Sequence, residues 1–479
     1  RLQRSGSLRT WHFVKPLLDA GHEVHLFGVR IPGSYPDDTP PEVVTVDGRL
    51  HYRSVAHELF HDLGYLQDHL ESVAPDALIG VNSYPSSRAA ALNTDLPLWC
   101  DANGWVMAEA QTKAATYDDD RYLAHFWNIE KAIVDRADVI STVSRAQSLA
   151  ALGELAARGR LNRRTVGYDF CRHVPNALAA VTYEHRFEVV RGKLVPEDAF
   201  VVLWVGGYNT WTDVELLYGA LERAMGERDD LHYVSTGGAL PGHDDLTFEK
   251  FQRRIEDSSF RDRVHFAGWV PTEQVPSYYF EADLGLNVDI ASNETLFGAR
   301  NRINDMLKVG LPVLTTLGTE ISQDLADRRL ALVAEIGDTE TFAEHLLWAA
   351  EHRERLRAMG AKASAFAHDA YSYERTTREL LAWAADPQRA PDGGQRIDID
   401  SGIDFFSQPL PDEDAADGAE AAGARAGEDH ELDCEELERE LALAQNQVSK
   451  LHSDLTEITS SKMFKLWMAY LKVRKTILG

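Results

Sequence analysis

Two arginines and an aspartate lie close together in "NETLFGARNRINDMLKVGLPVLTT", residues 293–316 of an otherwise acidic chain. Arg300 and Arg302 precede a helix-like run, and Asp305 follows one helical turn later. Arginine keeps its charge and offers a planar fork of N–H donors, so this pair suits a diphosphate. The Asp305 carboxylate could accept hydrogen bonds from ribose hydroxyls. The alternative is a surface ion pair between Arg302 and Asp305, which would contribute little to stability.

Glycines at the ends of predicted strands are a second feature that suits phosphate. Gly206 and Gly207 end the run "AFVVLWVGG", and Gly237 and Gly238 end "LHYVSTGG". Glycine in such a turn lets backbone N–H groups and a helix N-terminus approach phosphate oxygens. A turn between strand and helix also uses glycine for steric reasons alone, so the pattern is weak evidence by itself. Beside the arginines, it favours a site at the carboxyl ends of the strands.

The segments that must position these residues alternate between helical and extended patterns. "LRTWHFVKPLLDAGHEVHLFG" predicts a helix that Gly21 closes, followed by a strand over 23–27. A further helix is predicted from about Asp213. Short apolar runs predict other buried strands at 76–81, 96–101, 137–143, 199–207, 231–238, 264–270, 282–290 and 312–316. This repetition predicts an α/β fold with two Rossmann-like, doubly wound domains.

The domain limits follow from where this pattern restarts. We predict one Rossmann-like domain over 1–184 and a second over 185–369. The stretch "AYSYERTTRELLAWAADP" predicts a single helix over 370–387 that closes the globular part. Because the chain enters a helix almost directly after Arg1, we expect the first strand of the first domain to be missing.

The C-terminal part has a different composition. Residues 388–430 are rich in Ala, Gly, Pro and acids, which predicts an acidic disordered linker. Apolar residues spaced alternately three and four apart predict a coiled coil over 431–459. This coiled coil could join copies of the chain through residues 434–458. The alternative is a helix that packs on the globular part of the same chain. Aromatic residues among lysines in 460–479 predict an amphipathic basic helix at an anionic membrane surface, or else a docking helix for a protein.

The composition excludes several classes of protein. A formal charge of 49 − 76 = −27 argues against nucleic acid as a partner, which needs a basic surface. Three distant cysteines without CxxC spacing argue against a disulfide framework or a zinc site and fit a reducing cytoplasm. No apolar run approaches the roughly 20 residues of a spanning helix. We therefore expect a cytoplasmic protein, peripheral on the inner face of the cell membrane.

The order of several motifs over about residues 5–320 resembles one family. The motifs are "SGSLRTWHFVKPLLDAGHEV", "ADVISTVS", "HVPNAL", "VHFAGWVP", "EADLGLNV" and "ETLFGARNRINDMLKVGLPVLTT". They are similar to those of retaining GT-B glycosyltransferases that use nucleotide sugars, of the family 4-like type that builds bacterial surface polysaccharides. The resemblance implies two domains that face a cleft, with the acceptor on the first and the donor on the second. The 370–387 helix would cross back to the first domain.

The resemblance also implies roles for individual residues. The family has two glutamates in this region, and Asp305 stands where the second usually stands. Glu294 is the nearest candidate for the first glutamate. The two residues are 305 − 294 = 11 positions apart, which is a wider spacing than the family has. Donor-binding residues would be Gly206, Gly207, Asn209, Gly237, Gly268, Trp269, Val270, Asn287, Gly298 and Asp305. Catalytic residues would be Arg302, Arg300, Glu294 and Asp101, and acceptor-side residues Gly6, Ser7 and Asn103.

Two departures from the family pattern affect these assignments. Basic residues usually follow the first strand of the donor domain, and "GGYNTWTD" has none, so Arg300 and Arg302 would supply the missing charge. A first-domain histidine is replaced by "DANGW", where Asp101 and Asn103 stand. These two side chains could orient sugar hydroxyls, but Asp101 could equally cap the next helix.

The resemblance implies transfer of a sugar from a nucleoside-diphosphate sugar to a hydroxyl acceptor, with retention of configuration. Neither a metal nor another cofactor is expected, and the acceptor would be a glycan or a lipid-linked molecule of bacterial polysaccharide or glycolipid assembly. The alternatives are a sugar-nucleotide epimerase of the same architecture and an inactive scaffold that acts through its coiled coil.

Overall fold

The computed structural model describes residues 5–30, 38–240 and 242–399, with the backbone alone for 5–7. The predicted coiled coil, the basic helix and the part of the linker beyond residue 399 lie outside this range. The strands are β1 Val24–Val29, β2 Glu42–Asp47, β3 Leu50–Val55, β4 Leu78–Gly80, β5 Leu98–Ala102, β6 Val139–Thr142, β7 Cys171–His173, β8 Phe200–Val205, β9 Leu231–Thr236, β10 Val264–Gly268, β11 Leu284–Asn287, β12 Val313–Thr316 and β13 Leu332–Ala334.

Helices connect most of these strands. Those of the first half are α1 Ser5–Asp19, α2 His57–His61, α3 Leu63–Val73, α4 Ser83–Ala90, α5 Val106–Tyr117, α6 Arg121–Arg136 and α7 Arg145–Ala157. Those of the second half are α8 Val214–Glu227, α9 Leu246–Glu256, α10 Val275–Glu281, α11 Asn293–Phe297, α12 Asn301–Val309, α13 Glu320–Asp327, α14 Thr339–Glu351, α15 Arg353–Ala370, α16 Tyr373–Thr376 and α17 Arg378–Ala385. A short 3₁₀ helix spans Arg261–Arg263.

The second half is built on one six-stranded parallel sheet. Its strand order is β10-β9-β8-β11-β12-β13, so the order reverses between β8 and β11. Apolar clusters cover both faces of this sheet, and for this reason β8 is an almost unbroken apolar run, "FVVLWV". In such open sheets ligands bind outside the carboxyl ends of the strands at the reversal. The topology therefore places the candidate site beyond β8 and β11.

The strands of the first half lie in two sheets. β4-β5-β6-β7 form a parallel sheet, and β1-β3-β2 form a second sheet in which β3 pairs parallel with β1 and antiparallel with β2. The sequence prediction located β1, β4, β5 and β6 and missed β2, β3 and β7. With the six-stranded sheet of the second half, this α/β architecture confirms the predicted fold class.

The predicted helix over 370–387 is wrong in detail, because the structure divides it into α16 and α17. The Ser372 side chain accepts a hydrogen bond from the Arg375 N–H and so starts a new helix directly after α15. Thr377 then separates the two helices, and its hydroxyl bonds back to the Tyr373 carbonyl. Leu380 of α17 is fully buried against Phe13 of α1.

The predicted disorder of the linker is also wrong for residues 388–399. Asp392 forms an ion pair with Arg160 at 2.5 Å, and both side chains are fully buried. Ala390 packs in the apolar cluster that contains Phe170, and its N–H donates to the Asp138 carboxylate. A buried charge needs a paired partner, so this acidic stretch is held on the first half by Arg160.

Candidate functional site

Arg302 lies at the point where the order of the six-stranded sheet reverses. Its Nε donates to the Val205 carbonyl at 2.7 Å, and its Nη2 donates to the Gly207 carbonyl at 3.0 Å. Nη1 donates to the Asn287 side chain of β11 at 3.2 Å. The guanidinium also stacks on the Trp204 ring, 3.5 Å from its centroid. The side chain is therefore fixed across the ends of β8 and β11.

The fixed guanidinium still has donors to offer. Arginine has five N–H groups, and the three hydrogen bonds recorded for Arg302 in the described chain leave two of them. Burial lowers the pKa of Arg302 to about 10, so the group remains a cation at neutral pH. An anion at this end of the sheet would meet a positioned charge with two N–H groups.

Arg300 has a different role, which corrects the prediction that it shares a diphosphate with Arg302. It is 6% exposed and forms a two-point ion pair with Glu294, at 3.0 and 2.7 Å. Its Nε donates to Asp289 at 2.9 Å, and weaker contacts reach the Ala299 carbonyl and the Thr295 hydroxyl. All five N–H groups are thus used. Arg300 neutralises buried carboxylates.

Glu294 is correspondingly committed to Arg300 rather than open to a sugar. Burial raises the pKa of Glu294, and the adjacent Arg300 opposes that rise. Gly298 allows the chain to turn around this ion pair, since a Cβ there would lie 2.5 Å from the Glu294 carboxylate. Glu294 is thus held by Arg300, and this packing requires the glycine at 298; the catalytic role of Glu294 and the donor contact of Gly298 stay predictions.

Asp305 lies on α12 and lines a cavity between the two halves of the chain. Tyr183 donates its hydroxyl to the Asp305 carboxylate at 2.9 Å, so the alternative of an ion pair with Arg302 does not hold here. Burial raises the pKa of Asp305 to about 6. The cavity has a volume of about 20 Å³, room for roughly one water molecule, and Arg9 and His12 of α1 also line it. Asp305 is placed to accept hydrogen bonds from a bound hydroxyl.

The turns after β8, β9 and β10 pack backbone against backbone. Gly206 and Gly237 have φ of 96° and 87°, and a Cβ on Gly237 would lie 2.3 Å from the Gly206 carbonyl oxygen. The Gly237 N–H donates to the Gly268 carbonyl at 2.7 Å. The positive φ favours glycine at Gly206, Gly237 and Gly268, and at Gly237 the lack of space requires it as well. The three predicted glycines thus come together at one end of the sheet.

The remaining donor-side residues surround these turns. Trp269 is 62% exposed and donates its Nε1 to the Ala239 carbonyl at 3.0 Å. Val270 packs partly buried against the apolar cluster on one face of the six-stranded sheet. The Asn209 N–H donates to the Thr212 hydroxyl, and a Cβ on Gly207 would meet the Leu240 side chain at 2.6 Å. An exposed indole beside three glycine turns offers a flat surface for a planar group.

Asp101 does not face the cleft, which corrects its predicted catalytic role. Its carboxylate is fully buried and takes two hydrogen bonds from Arg9, at 3.0 and 2.6 Å, and one from Ser141 at 2.7 Å. It does not cap the following helix either, because Trp105 stands at the N-cap of α5. Asp101 instead positions Arg9, which lines the same cavity as Asp305.

The other first-domain predictions have more limited outcomes. Asn103 donates its side-chain amide to the Asn82 side chain at 3.0 Å. Gly6 and Ser7 lie in the first turn of α1, where the backbone alone is described. The structure brings Arg302, Asn287 and the glycine turns together and places Asp305 on α12, the same helix as Arg302. Arg300 is joined to this group through Asp289, which accepts hydrogen bonds from both Arg300 and Asn287. Asp101 is paired with Arg9 instead.

Sequence reasoning missed the contacts of α5, whose polar face touches the loops of the second half. The Thr112 and Thr210 hydroxyls lie 2.8 Å apart, and Tyr117 donates its hydroxyl to the Asp244 carboxylate at 3.1 Å. Glu109 lies 3.4 Å from His243. Polar residues at helical spacing in "VMAEAQTKAATY" indicate a helix with a polar face. No motif in this stretch indicates that the face contacts residues about a hundred positions further along the chain.

The α5 contacts include an acid that titrates near neutral pH. Burial raises the pKa of Glu109 to about 7, and the nearby charge of Glu294 adds to that rise. Burial lowers the pKa of His243, as does Lys113. Glu109, with a pKa of about 7, can gain or lose a proton at physiological pH beside the His243 imidazole. The face of α5 thus carries a titratable carboxyl that sequence reasoning had not predicted.

Comparison with known proteins concerns the second half by sequence and about four fifths of the chain by fold. Residues 199–352 match the family model described as Glycosyl transferases group 1. The fold is similar to that of sucrose-phosphate synthase from Thermosynechococcus elongatus, with a TM-score of 0.56, 14% identity, and 80% of this chain and 93% of that chain covered. A search of curated protein sequences found no match.

Two further solved structures share the fold. A trehalose-6-phosphate structure from E. coli, bound with UDP-2-fluoro glucose, has a TM-score of 0.56 and 11% identity over 82% of this chain and 97% of that chain. The apo structure of OtsA has a TM-score of 0.56 and 11% identity over 79% and 96%. Among the residues that the structure describes, no helix has the length and apolar character needed to cross a bilayer.

The β8–β11 reversal, the glycine turns and the family match all concern the same part of the chain. The chain therefore has the GT-B fold of glycosyltransferases, and its residues 199–352 carry the sequence pattern of glycosyl transferases group 1.

Proposed function

We propose that the chain transfers a sugar from a nucleoside-diphosphate sugar to a hydroxyl acceptor, with retention of configuration. The observation that carries this proposal is Arg302, a fixed cation with two remaining N–H groups at the reversal of the six-stranded sheet. The glycosyl transferases group 1 match covers this sheet, and one structure of the same fold is bound with UDP-2-fluoro glucose.

In this proposal the charge on the leaving group is stabilised by Arg302 and by the backbone around Gly206. Departure of the diphosphate leaves positive charge on the sugar and negative charge on the phosphate oxygens. A preorganised guanidinium stabilises the developing negative charge without reorganisation. The acceptor hydroxyl oxygen then bonds to the anomeric carbon on the face that the diphosphate leaves, and a phosphate oxygen takes its proton, so that the reaction needs no separate general base. Asp305 would hold the ribose hydroxyls of the donor.

Binding of the donor is tested by thermal shift with UDP, GDP, TDP and CDP and their common sugars. A ligand that binds only the folded protein raises its melting temperature. We expect one nucleotide to do so, and Arg302→Ala to abolish the shift. Arg302→Lys keeps a cation but lacks the planar fork, so it should retain a reduced shift. Arg121→Ala, which removes an exposed arginine paired with Asp119, is the matched control and should behave as the parent.

The chemistry is tested separately with the nucleotide identified in this way. Release of nucleoside diphosphate in the presence of acceptor glycans, with the anomeric configuration of the product read by NMR, would support retention. An inverted product would contradict retention, and binding without turnover on any acceptor would favour the inactive-scaffold alternative. A normal thermal shift in Arg302→Ala would contradict the proposed position of the donor.

We place this activity in bacterial cell-surface polysaccharide or glycolipid assembly, on the cytoplasmic face of the membrane. The support is the sequence of residues 460–479, where aromatic residues alternate with lysines as in helices that bind anionic lipid. Deletion of 460–479 should move the protein from the membrane fraction to the supernatant. An unchanged distribution would contradict the membrane contact.

A further inference from the structure

Three metal-ligating side chains converge where β1 and β3 begin, in a sheet separate from the six-stranded one. The Glu23 carboxylate lies 3.1 Å from the Nε2 of His25 and 3.1 Å from the Nε2 of His51. The two imidazole rings stack in parallel, with centroids 4.4 Å apart and planes 4° apart. All three ligand atoms lie within 4.8 Å of one another.

The register of the sheet explains why these side chains meet. His25 of β1 pairs with His51 of β3 in the parallel ladder, so their side chains stand side by side on one face. Glu23 lies two residues before His25, and side chains two residues apart point to the same face of a strand. The arrangement is therefore set by backbone pairing and does not depend on a loop.

We propose that Glu23, His25 and His51 bind a divalent transition-metal ion, with zinc as the best match. Two imidazoles and one carboxylate are ligands that zinc prefers. Tetrahedral zinc with bonds of about 2.0 to 2.1 Å places its ligand atoms about 3.3 Å apart, close to the two distances of 3.1 Å observed. The side chains of His25, His51 and Glu23 are 32%, 34% and 60% exposed, which leaves a fourth position for water.

The position of this triad indicates a structural ion rather than a catalytic one. The triad lies where parallel strands begin, whereas ligands of this fold bind where strands end. An ion there would join β1 to β3 and stabilise their pairing, without any part in sugar transfer. The proposal is therefore independent of the proposed function.

The chain also contains a pair of histidines that could bind zinc instead. His57 and His61 lie one turn apart on α2 with their Nε2 atoms 3.1 Å apart. The Tyr84 hydroxyl contacts the second of these at 2.9 Å. Among the residues that the structure describes, no third His, Cys, Asp or Glu ligand atom lies close enough to complete a site with this pair, whereas the Glu23 triad has three. The double variant His57→Gln/His61→Gln is thus a matched control.

The test is calorimetric titration of the full chain with ZnCl₂ after removal of metal by EDTA, with MgCl₂ as the hard-ion control. We expect one zinc ion per chain and no magnesium binding at the triad. His25→Gln, His51→Gln and Glu23→Gln should each weaken zinc binding by more than about tenfold, while His57→Gln/His61→Gln should not change it. Zinc at ten times its Kd should raise the Tm of the parent by about 3 °C, and that of His25→Gln by less.

Three results would overturn the proposal. The first is no heat of binding with zinc at micromolar concentration. The second is unchanged affinity in His25→Gln and His51→Gln when circular dichroism shows both variants folded. The third is loss of the zinc site in the His57→Gln/His61→Gln control, which would assign the ion to α2.

Discussion

Replacement of Arg300 by methionine removes the cation that two buried carboxylates share. The side chains of Arg300, Asp289 and Glu294 are 5%, 3% and 10% exposed, so none of the three can regain water without a change in the fold. Loss of one partner of a buried ion pair costs about 3 to 5 kcal/mol, because the remaining charge is left uncompensated. For a domain of this size that loss lowers the Tm by about 10 °C.

The pH dependence of this loss identifies its cause. In Arg300→Met, Glu294 loses the charge that opposes the effect of burial, so its pKa in the folded protein lies further above that in the unfolded chain. Groups of this kind bind protons more tightly when folded, so their stabilising effect is present at low pH and disappears as pH rises through the folded pKa. The Tm deficit relative to the parent should therefore be larger at pH 8 than at pH 5.5.

A double variant completes the experiment. Addition of Glu294→Gln to Arg300→Met removes one of the uncompensated charges and should recover about 2 kcal/mol. Thermal melts of parent, single and double variants by circular dichroism at both pH values measure these differences. A deficit below about 1 kcal/mol, or one that is equal at the two pH values, would refute the assignment of Arg300 to charge neutralisation.

Three further predictions concern other parts of the molecule. Affinity for the nucleotide should fall as pH drops through about 6, because Asp305 then takes up a proton and loses its negative charge. Asp305→Asn should bind the nucleotide weakly at every pH. A calorimetric affinity of the parent that does not change with pH would contradict this prediction. Because burial raises the pKa of Glu109 from 4.5 to about 7, the parent loses stability between those two pH values, where only the unfolded chain has released the proton. Glu109→Gln should therefore be more stable than the parent by up to about 3 kcal/mol at pH 8 and equal to it below about pH 4; equal melts at pH 8 would exclude this. A chain that ends at residue 387 should be less stable than one that ends at 399 by about 3 to 5 kcal/mol, because Arg160 loses its buried partner Asp392; identical melts would show that the segment contributes nothing.

The strands around the site were predictable because they are buried on both faces. β8 is a continuous apolar run, and such runs separated by glycine turns identify a parallel sheet from sequence. β2 and β3 were missed, although Asp47 ends β2 and Gly48 begins the two-residue turn to β3, and Asp-Gly is a hairpin signal. β7 and β13 have only three residues each and carry no readable pattern.

The directions of side chains at the site were not predictable in the same way. Arg300 and Arg302 are two positions apart and equal in chemistry, yet one turns to Asp289 and the other to the end of β8. That difference is set by carboxylates and carbonyls that the fold supplies from distant positions. The contact of Glu109 with His243 has the same origin, since it joins segments that no local pattern relates.

The packing of the glycine turns bears on how donor specificity can change during evolution. Because a side chain at Gly237 would collide with the Gly206 carbonyl, this wall of the cleft is main chain, and its shape hardly depends on which amino acids mutation supplies. Side chains can vary on the surfaces that face this wall, above all on α5 and at the exposed Trp269. Natural and engineered variants that accept a different sugar nucleotide should therefore differ at those surfaces and retain the glycines.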